Sequence, residues 1–475
     1  MIIRESCEPS GHAGSIATIG GMTSTNAGQR LEQYLDQIGE RLGDKRRRAS
    51  FATYAMGLLS ESERKSMEPI GARASATPAQ ASAAHQRLHH FIANTSWSDH
   101  EVRLEAARYA IAAMEERDPV VAWVIDDTGF LKQGKHSVGV QRQYTGSAGK
   151  TANCQIGVSL SVTTRTEHLP IDFALFLPES WTEDPERRLE VKIPEETTFQ
   201  TKHDLALGMI EQAIRAQIPG TIVLADSFYG HSRPFRETVH LLGFDYGMAI
   251  YSNDKMQLVD RHERPRGELR TAKEIALALG PRAFRRCTWR EGTNRKLSSR
   301  FALCRVKVPV EQGLAARAEW LLIEWSSGDK EPTHFFLTTL PRSMSKKEIV
   351  RLIKERYRTE QVYEELKGEL GLDHFEGRSF PGWHHHVSVV LCVYAFLVAE
   401  RSRAFPPRPE GRVIPVRSVE RLELHFPDSI ATVRLTLLRI IVRWLPRCPL
   451  CHHEQPARGI DAPHSSHASV PTGAP

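Results

Sequence analysis

Apolar positions in the first quarter of the chain recur at helical spacing. Leu31, Tyr34, Leu35 and Ile38 form one such stripe, and Val102, Leu104, Ala107 and Ile111 another with one slip. Residues 27–116 are therefore predicted to be helical. At Asp118-Pro119 the texture changes. The run 120–125 (VVAWVI) is continuously apolar and stops at Asp126-Asp127, which predicts a short buried strand with acids at its tip. Residues 155–162 alternate: Ile156, Val158, Leu160 and Val162 fall on one face, Gln155, Gly157, Ser159 and Ser161 on the other. A third strand, 171–177, ends at Pro178, so an antiparallel meander is expected. A helix over 202–217 carries Leu207, Ile210 and Ile214 and stops at Pro219-Gly220. Strand 221–225 then runs into Asp226, followed by a helix (235–242) and a strand (246–250). This order is that of a mixed α/β domain.

Residues 255–340 break the rhythm. Strands are predicted at 287–289, 301–308, 320–325 and 334–338, the last two joined by the turn-like SSGDKEP. This stretch reads as a mostly β insertion. It is also basic, with Arg282, Arg285, Arg286, Arg290, Arg295, Lys296 and Arg300 inside nineteen residues. Ser345 with Glu348 forms a capping box that should open a helix, and Gly368 or Gly371 should end or bend it. Further helices are expected at 387–399 and 429–445. The Gly/Ser/Thr-rich start (1–27) reads as a mobile extension, and the tail (455–475) as disordered.

Composition narrows the picture. With 475 residues, 40% hydrophobic and 25% charged, the chain has the makeup of a multidomain soluble protein. A net charge of +6 permits basic patches for a polyanion, among them Lys45-Arg46-Arg47-Arg48, or an ordinary solvated surface. Seven scattered cysteines suggest a reducing compartment. The longest apolar run, 387–399, is 13 residues, too short to span a bilayer, and reads as a buried helix in a cytoplasmic protein. Cys448-Pro-Leu-Cys451-His452-His453 has half a zinc-knuckle spacing, but a turn is the better expectation. His384-His385-His386 suits capping and packing. No GxxxxGK[ST] loop is present, so ATP is not expected to drive the chemistry.

The chemistry centres on three acids. In KERYRTEQVYEELK (354–367), Arg356, Glu360 and Lys367 are expected on one face of a helix. Asp126 and Asp226 each close a predicted strand. Three carboxylates that met without a cation would repel one another, each pair by roughly 4 kcal/mol at 4 Å and an effective dielectric near 20. A divalent metal with hard oxygen ligands is the natural reason for such a meeting. Taken singly, each acid has an ordinary reading: Asp226 as a helix cap, Asp126-Asp127 as a turn, Glu360 as the salt-bridge partner of Arg356.

Together these features resemble the DDE transposases of bacterial insertion sequences, with their ribonuclease-H-like α/β fold. The closer likeness is to the group with a β insertion before the catalytic Glu and the signature Tyr-x2-Arg-x3-Glu-x6-Lys. Arg356, Glu360 and Lys367 match it, while Ile353 stands at the Tyr position. DDTGFLKQGKHSVGVQRQYTGSAGKTANCQ (126–155) and GELGLDHFEGRSFPGWHHH (368–386) also look like one subfamily's stretches. The resemblance implies Asp126, Asp226 and Glu360 as catalytic metal ligands, with Asp127 as competitor for the first place. It implies two Mg²⁺ ions, replaceable by Mn²⁺. Arg356 and Lys367 would hold phosphates, and Lys132, Lys135, Arg142 and Lys150 would cover the DNA strand. In relatives a Trp of the insertion stacks on a flipped base; here His334 aligns with it, and Trp320 or Trp325 is the expected substitute from another strand.

The implied layout is a helical DNA-binding region (28–117), a catalytic domain in two parts (118–254 and 341–400) around the insertion (255–340), and a C-terminal helical region (401–454). The implied function is binding of terminal inverted repeats, metal-dependent strand cleavage and strand transfer. Partners are double-stranded DNA, both transposon ends and target, and a second copy of the chain on that DNA. No membrane is involved, and the setting is the bacterial cytoplasm at the nucleoid. A transposase-derived repressor or targeting factor without catalysis is the alternative, and a nuclease without strand transfer a third reading.

Overall fold

A computed structural model describes residues 24–291, 296–309, 317–404 and 429–444. The half-zinc-knuckle motif, most of the expected N-terminal extension, the tail and Arg295 lie outside the described residues. The helical first quarter consists of α1 (Ser24–Leu42), α2 (Lys45–Leu59), α3 (Met67–Arg73), α4 (Pro78–His89), a π-helical turn (His90–Asn94) and α5 (Asp99–Glu115). Asp44 caps α2 by accepting from the N–H groups of Arg46 and Arg47, at 2.8 and 3.3 Å. The basic run 45–48 therefore occupies the first turn of α2, and Lys45, Arg46 and Arg48 are exposed. Cations at a helix N-terminus oppose the macrodipole by roughly 0.3–1 kcal/mol each, so helix stability does not account for them.

Among the described residues, twelve strands form one sheet. They are β1 (Ala122–Leu131), β2 (Gln141–Thr145), β3 (Lys150–Thr163), β4 (His168–Phe176), β5 (Ile222–Ala225), β6 (Asp245–Ile250), β7 (Lys255–Val259), β8 (Pro265–Thr271), β9 (Arg285–Glu291), β10 (Lys296–Lys307), β11 (Ala318–Trp325) and β12 (His334–Thr338). Between them lie α6 (Glu179–Thr182), α7 (Pro185–Glu190), α8 (Lys202–Arg215), α9 (Ser227–His231), α10 (Arg233–Leu241) and α11 (Ala272–Leu279). The central order is β4-β3-β1-β5-β6, with β3 antiparallel to its neighbours and β1, β5 and β6 parallel. That order, with helices on the sheet's faces, is the ribonuclease-H-like arrangement. β3 alternates in sequence yet is buried along its length from Cys154 onward, Gln155, Ser159 and Ser161 included, because both faces are covered.

The β-rich stretch after β6 extends this sheet. β12 pairs antiparallel with β6 through Phe335↔Ile250 to Thr338↔Gly247, and β11, β10 and β7 follow outward. The chain then returns through α12 (Lys346–Ile353), a 3₁₀ turn (Lys354–Tyr357) and α13 (Arg358–Leu370) to the centre of the sheet. The Ser345/Glu348 capping box opens α12, and Gly371, at φ 68°, closes α13 in the left-handed conformation that glycine adopts without strain.

α14 (Phe380–Ala404) and α15 (Ile430–Trp444) join the first five helices in one packed layer. Tyr34 donates to the Cys392 carbonyl at 2.6 Å, and buried Arg103 bridges Asp99, Asp172 and the Ser388 hydroxyl. α14 is long and apolar enough to cross a membrane, but 94% of its most apolar window is buried inside the protein. His385 stacks on Trp97 with ring centres 3.9 Å apart, and His386 bonds the Tyr54 hydroxyl at 2.9 Å, so these histidines pack the core.

Candidate active site

The two adjacent acids do not sit at a strand tip. β1 continues through them to Leu131, held by its antiparallel ladder with β3 as far as Leu131↔Cys154, while its parallel pairing with β5 ends at Ile125↔Ala225. The apolar run marked only the stretch flanked on both edges. Strand alternation then sends the acids to opposite faces. On one face Val124 packs near Leu352 of α12, Asp126 meets Arg356, and the Thr128 hydroxyl meets Lys367. On the other, Asp127 meets Lys202 at the start of α8.

Asp126 is almost fully buried. Its carboxylate accepts from the Arg356 guanidinium at 2.6 Å and from the Asp127 N–H at 2.8 Å. Burial nevertheless pushes its pKa up to about 7; Arg356 opposes this, while Asp226 and Asp127 add to it. Burial also raises the Asp127 pKa, against the pull of Lys202, whose ammonium lies 3.0 Å away. Asp226 follows β5 and caps α9, accepting from the N–H groups of Phe228 and Tyr229 at 3.0 and 3.3 Å. Its capping role is thus real, and the same carboxylate lies near enough to act on Asp126 and Asp127. Glu360 is exposed on the first turn of α13 and, with Asp126 and Asp226, raises the pKa of Arg356.

The segment 354–367 is not one helix. Arg356 lies in the 3₁₀ turn between α12 and α13, while Glu360 and Lys367 lie on α13. Arg356 still faces the sheet, because Ile353 just before it is buried and fits against Gly247, where a Cβ would come within 2.9 Å of the Ile353 side chain. Lys367 spends its ammonium on the Thr128 hydroxyl and Gly129 carbonyl, both at 2.9 Å, and on the Ser147 hydroxyl at 3.3 Å. It ties α13 to β1 two and three residues beyond Asp126.

Of the other basic residues, Lys135, Arg142 and Lys150 are exposed, the last two on the β2–β3 hairpin, whereas Lys132 donates to the Phe375 carbonyl at 2.6 Å. In the β extension His334 is exposed. Arg305 covers the Trp320 ring at 4.8 Å and Arg300 covers Trp325 at 4.4 Å. Two residues near the acids escaped the sequence reading. Lys202 could have been found through the Thr201/Asp204 capping box that opens α8. Tyr229, three residues after Asp226, had no such signal. Its buried hydroxyl lies beside the Asp127 carboxylate and helps hold the Asp127 pKa down, and after burial itself Asp127, Asp226 and Asp126 drive its own pKa well above the ordinary tyrosine value.

The donor chemistry suits a hard divalent cation: the carboxylates of Asp126, Asp127 and Asp226 act on one another, and among the described residues Arg356 and Lys202 are the cations bonded to them. Among the described residues, no three His, Cys, Asp or Glu side chains are already gathered as a metal-binding group.

Residues 37–296 match the family model described as DDE superfamily endonuclease, and residues 199–396 match the one described as transposase DDE domain. The chain is 26% identical over 232 residues to a probable transposase for insertion sequence element IS701 from Microchaete diplosiphon, covering 49% of this chain and 56% of that protein. The match thus spans little more than half of that relative's length. Among solved structures, the chain is similar to a piggyBac transposase synaptic complex with hairpin DNA. There the TM-score is 0.39 at 8% identity over 86% of this chain and 74% of that one, too weak a likeness to identify a fold. The family matches bear out the resemblance to DDE transposases of insertion sequences drawn from the sequence.

Proposed function

The chain belongs to the DDE superfamily endonucleases, and from that footing we propose that it cuts and joins DNA as the transposase of an insertion sequence. The observation that supports this reading most is Arg356, which bonds buried Asp126 and lies within the electrostatic reach of Asp226 and Glu360. Bonded to β1, this one cation also feels the acid that follows β5 and the acid that opens α13.

In this reading Asp126, Asp226 and Glu360 hold Mg²⁺. When bound, the metal would activate water and stabilise charge on the phosphodiester. The side chains have distinct tasks. Asp126 would supply oxygens from within β1, Asp226 from the cap of α9 just after β5, and Glu360 one from the exposed start of α13. Arg356, bonded to Asp126, would offer the rest of its guanidinium to a phosphate. Lys202 keeps Asp127 neutralised on the opposite face. Lys367 fixes α13 against β1, so that Glu360 stays in register with Asp126. Exposed Lys135, Arg142 and Lys150, with the basic start of α2, would follow the DNA backbone at the terminal inverted repeats. Joining two ends to a target implies two copies of the chain on the DNA.

A cleavage assay on end-bearing DNA, with and without target plasmid, tests the reading. Cleavage with joining supports a transposase, cleavage alone a nuclease, and binding without cleavage a transposase-derived repressor or targeting factor. Asp226→Asn should lower cleavage by ~10²-fold or more while end binding persists. Substantial residual cleavage would remove Asp226 from the site.

A further inference from the structure

Three cations alternate along the 3₁₀ turn and the start of α13, and each reaches a different part of the protein. Arg356 bonds Asp126 on β1, Arg358 donates to the Thr164 and Arg165 carbonyls after β3, and Lys354 donates to Glu324 on β11 at 2.6 Å. The first two hold the turn to the centre of the sheet, and the third holds it to the β extension. The Glu324 side chain is only 3% exposed. It shares a face of β11 with Leu322, which packs with Ile349, Val350 and Ile353 of α12. The Lys354 ammonium also lies 4.8 Å from the Trp289 ring centre on β9 and 6.0 Å from that of Phe336 on β12. Three strands of the extension thus form a socket for one side chain, which stands shortly before Arg356 and Glu360 in the chain.

An ion pair is an expensive way to join such a seam. Apolar side chains at both positions would join the same surfaces without desolvating two charges. What the pair adds is geometry: a short charge-assisted bond between a strand and a turn admits one placement, whereas an apolar seam can slide. The 3₁₀ turn is where such fixing matters, because its hydrogen bonds are poorer than those of the helices on either side. We propose that Lys354 and Glu324 are positioning residues: through them the β extension sets the turn that delivers Arg356 to Asp126 and Glu360 to the metal site. The inference rests on the reading of the chain as a DNA-cutting enzyme. Neither side chain touches the reacting atoms; both act through Arg356 and Glu360.

Two measurements on the full chain test it: amide hydrogen exchange across residues 354–361, and steady-state cleavage of end-bearing DNA. Lys354→Met and Glu324→Gln should each speed exchange across 354–361 about tenfold and leave the central strands unchanged. Each should lower kcat about tenfold with KM for DNA near wild type, since alignment is lost rather than binding. Lys354→Arg keeps the bond to Glu324 and should restore both. Where a single variant folds poorly, Glu324→Gln combined with Lys354→Met leaves no unpaired buried charge and should show the same loosening. Wild-type exchange across 354–361 in these variants would overturn the proposal, and so would loosened exchange with wild-type kcat. Pair-dependent exchange in a protein that cuts no DNA would defeat the DNA-cutting reading and leave the brace on the turn standing.

Discussion

Two neighbouring carboxylates on β1 face different surroundings. Asp126 points toward the α12–α13 side, meets Arg356 and shares its environment with Asp226 and Glu360. Asp127 points toward α8 and meets Lys202. Both are near Asp226, so proximity alone does not separate them. Their cations do. Arg356 sits on a 3₁₀ turn between helices and carries an exposed acid four residues on, whereas Lys202 is anchored in the capped first turn of α8. A chain reversal can deliver a third acid to the first face; the second face is closed by a helix that supplies only its countercharge.

The sharpest way to break this comparison is to remove each acid in turn. Asp126→Asn should lower DNA cleavage by ~10²-fold or more, with Asp127→Asn costing far less. Equal losses in a cleavage assay would mean that the two faces are not distinct. A smaller effect concerns the Asp127–Lys202 pair itself. A double-mutant cycle with Asp127→Asn and Lys202→Met, read by denaturant unfolding, should show a coupling of about 1 kcal/mol, modest because both side chains keep some solvent contact. Zero coupling would make Lys202 a free cation rather than the lock on Asp127. An effect of similar size is expected at Lys367. Lys367→Met should destabilise the fold by about 1 kcal/mol through its bonds to Thr128, Gly129 and Ser147. If end binding also falls and its salt slope drops by about 1, the ammonium reaches phosphate as well.

Much of the frame was legible in the sequence because burial writes itself as periodicity. The runs leading to Asp126 and Asp226, the Ser345 capping box and the strands at 320–325 and 334–338 all carry local signals that survive folding. Three features were not legible, each for a long-range reason. The length of β1 depends on its ladder with β3, which carries the strand through two acids that look like a terminus. The break at 354–357 depends on Ile353 finding its seat against Gly247, more than a hundred residues earlier. The β-rich stretch read as an insertion, and its docking on the same sheet through β12 and β6 had no local signal. Around the acids, residue types were readable and partners were not. Lys367 matched a phosphate-binding pattern, while its ammonium is engaged by β1, and nothing local announced Tyr229 as a neighbour of the site.

The central claim is that Asp126, Asp226 and Glu360, and not Asp127, hold the divalent cation. Mn²⁺ binding to the full chain, followed by electron paramagnetic resonance, tests it without needing the DNA sequence. The account predicts that Asp126→Asn, Asp226→Asn and Glu360→Gln each weaken Mn²⁺ binding by ~10-fold or more, with Asp127→Asn close to wild type. Loss on Asp127→Asn with Asp126→Asn unaffected would contradict it.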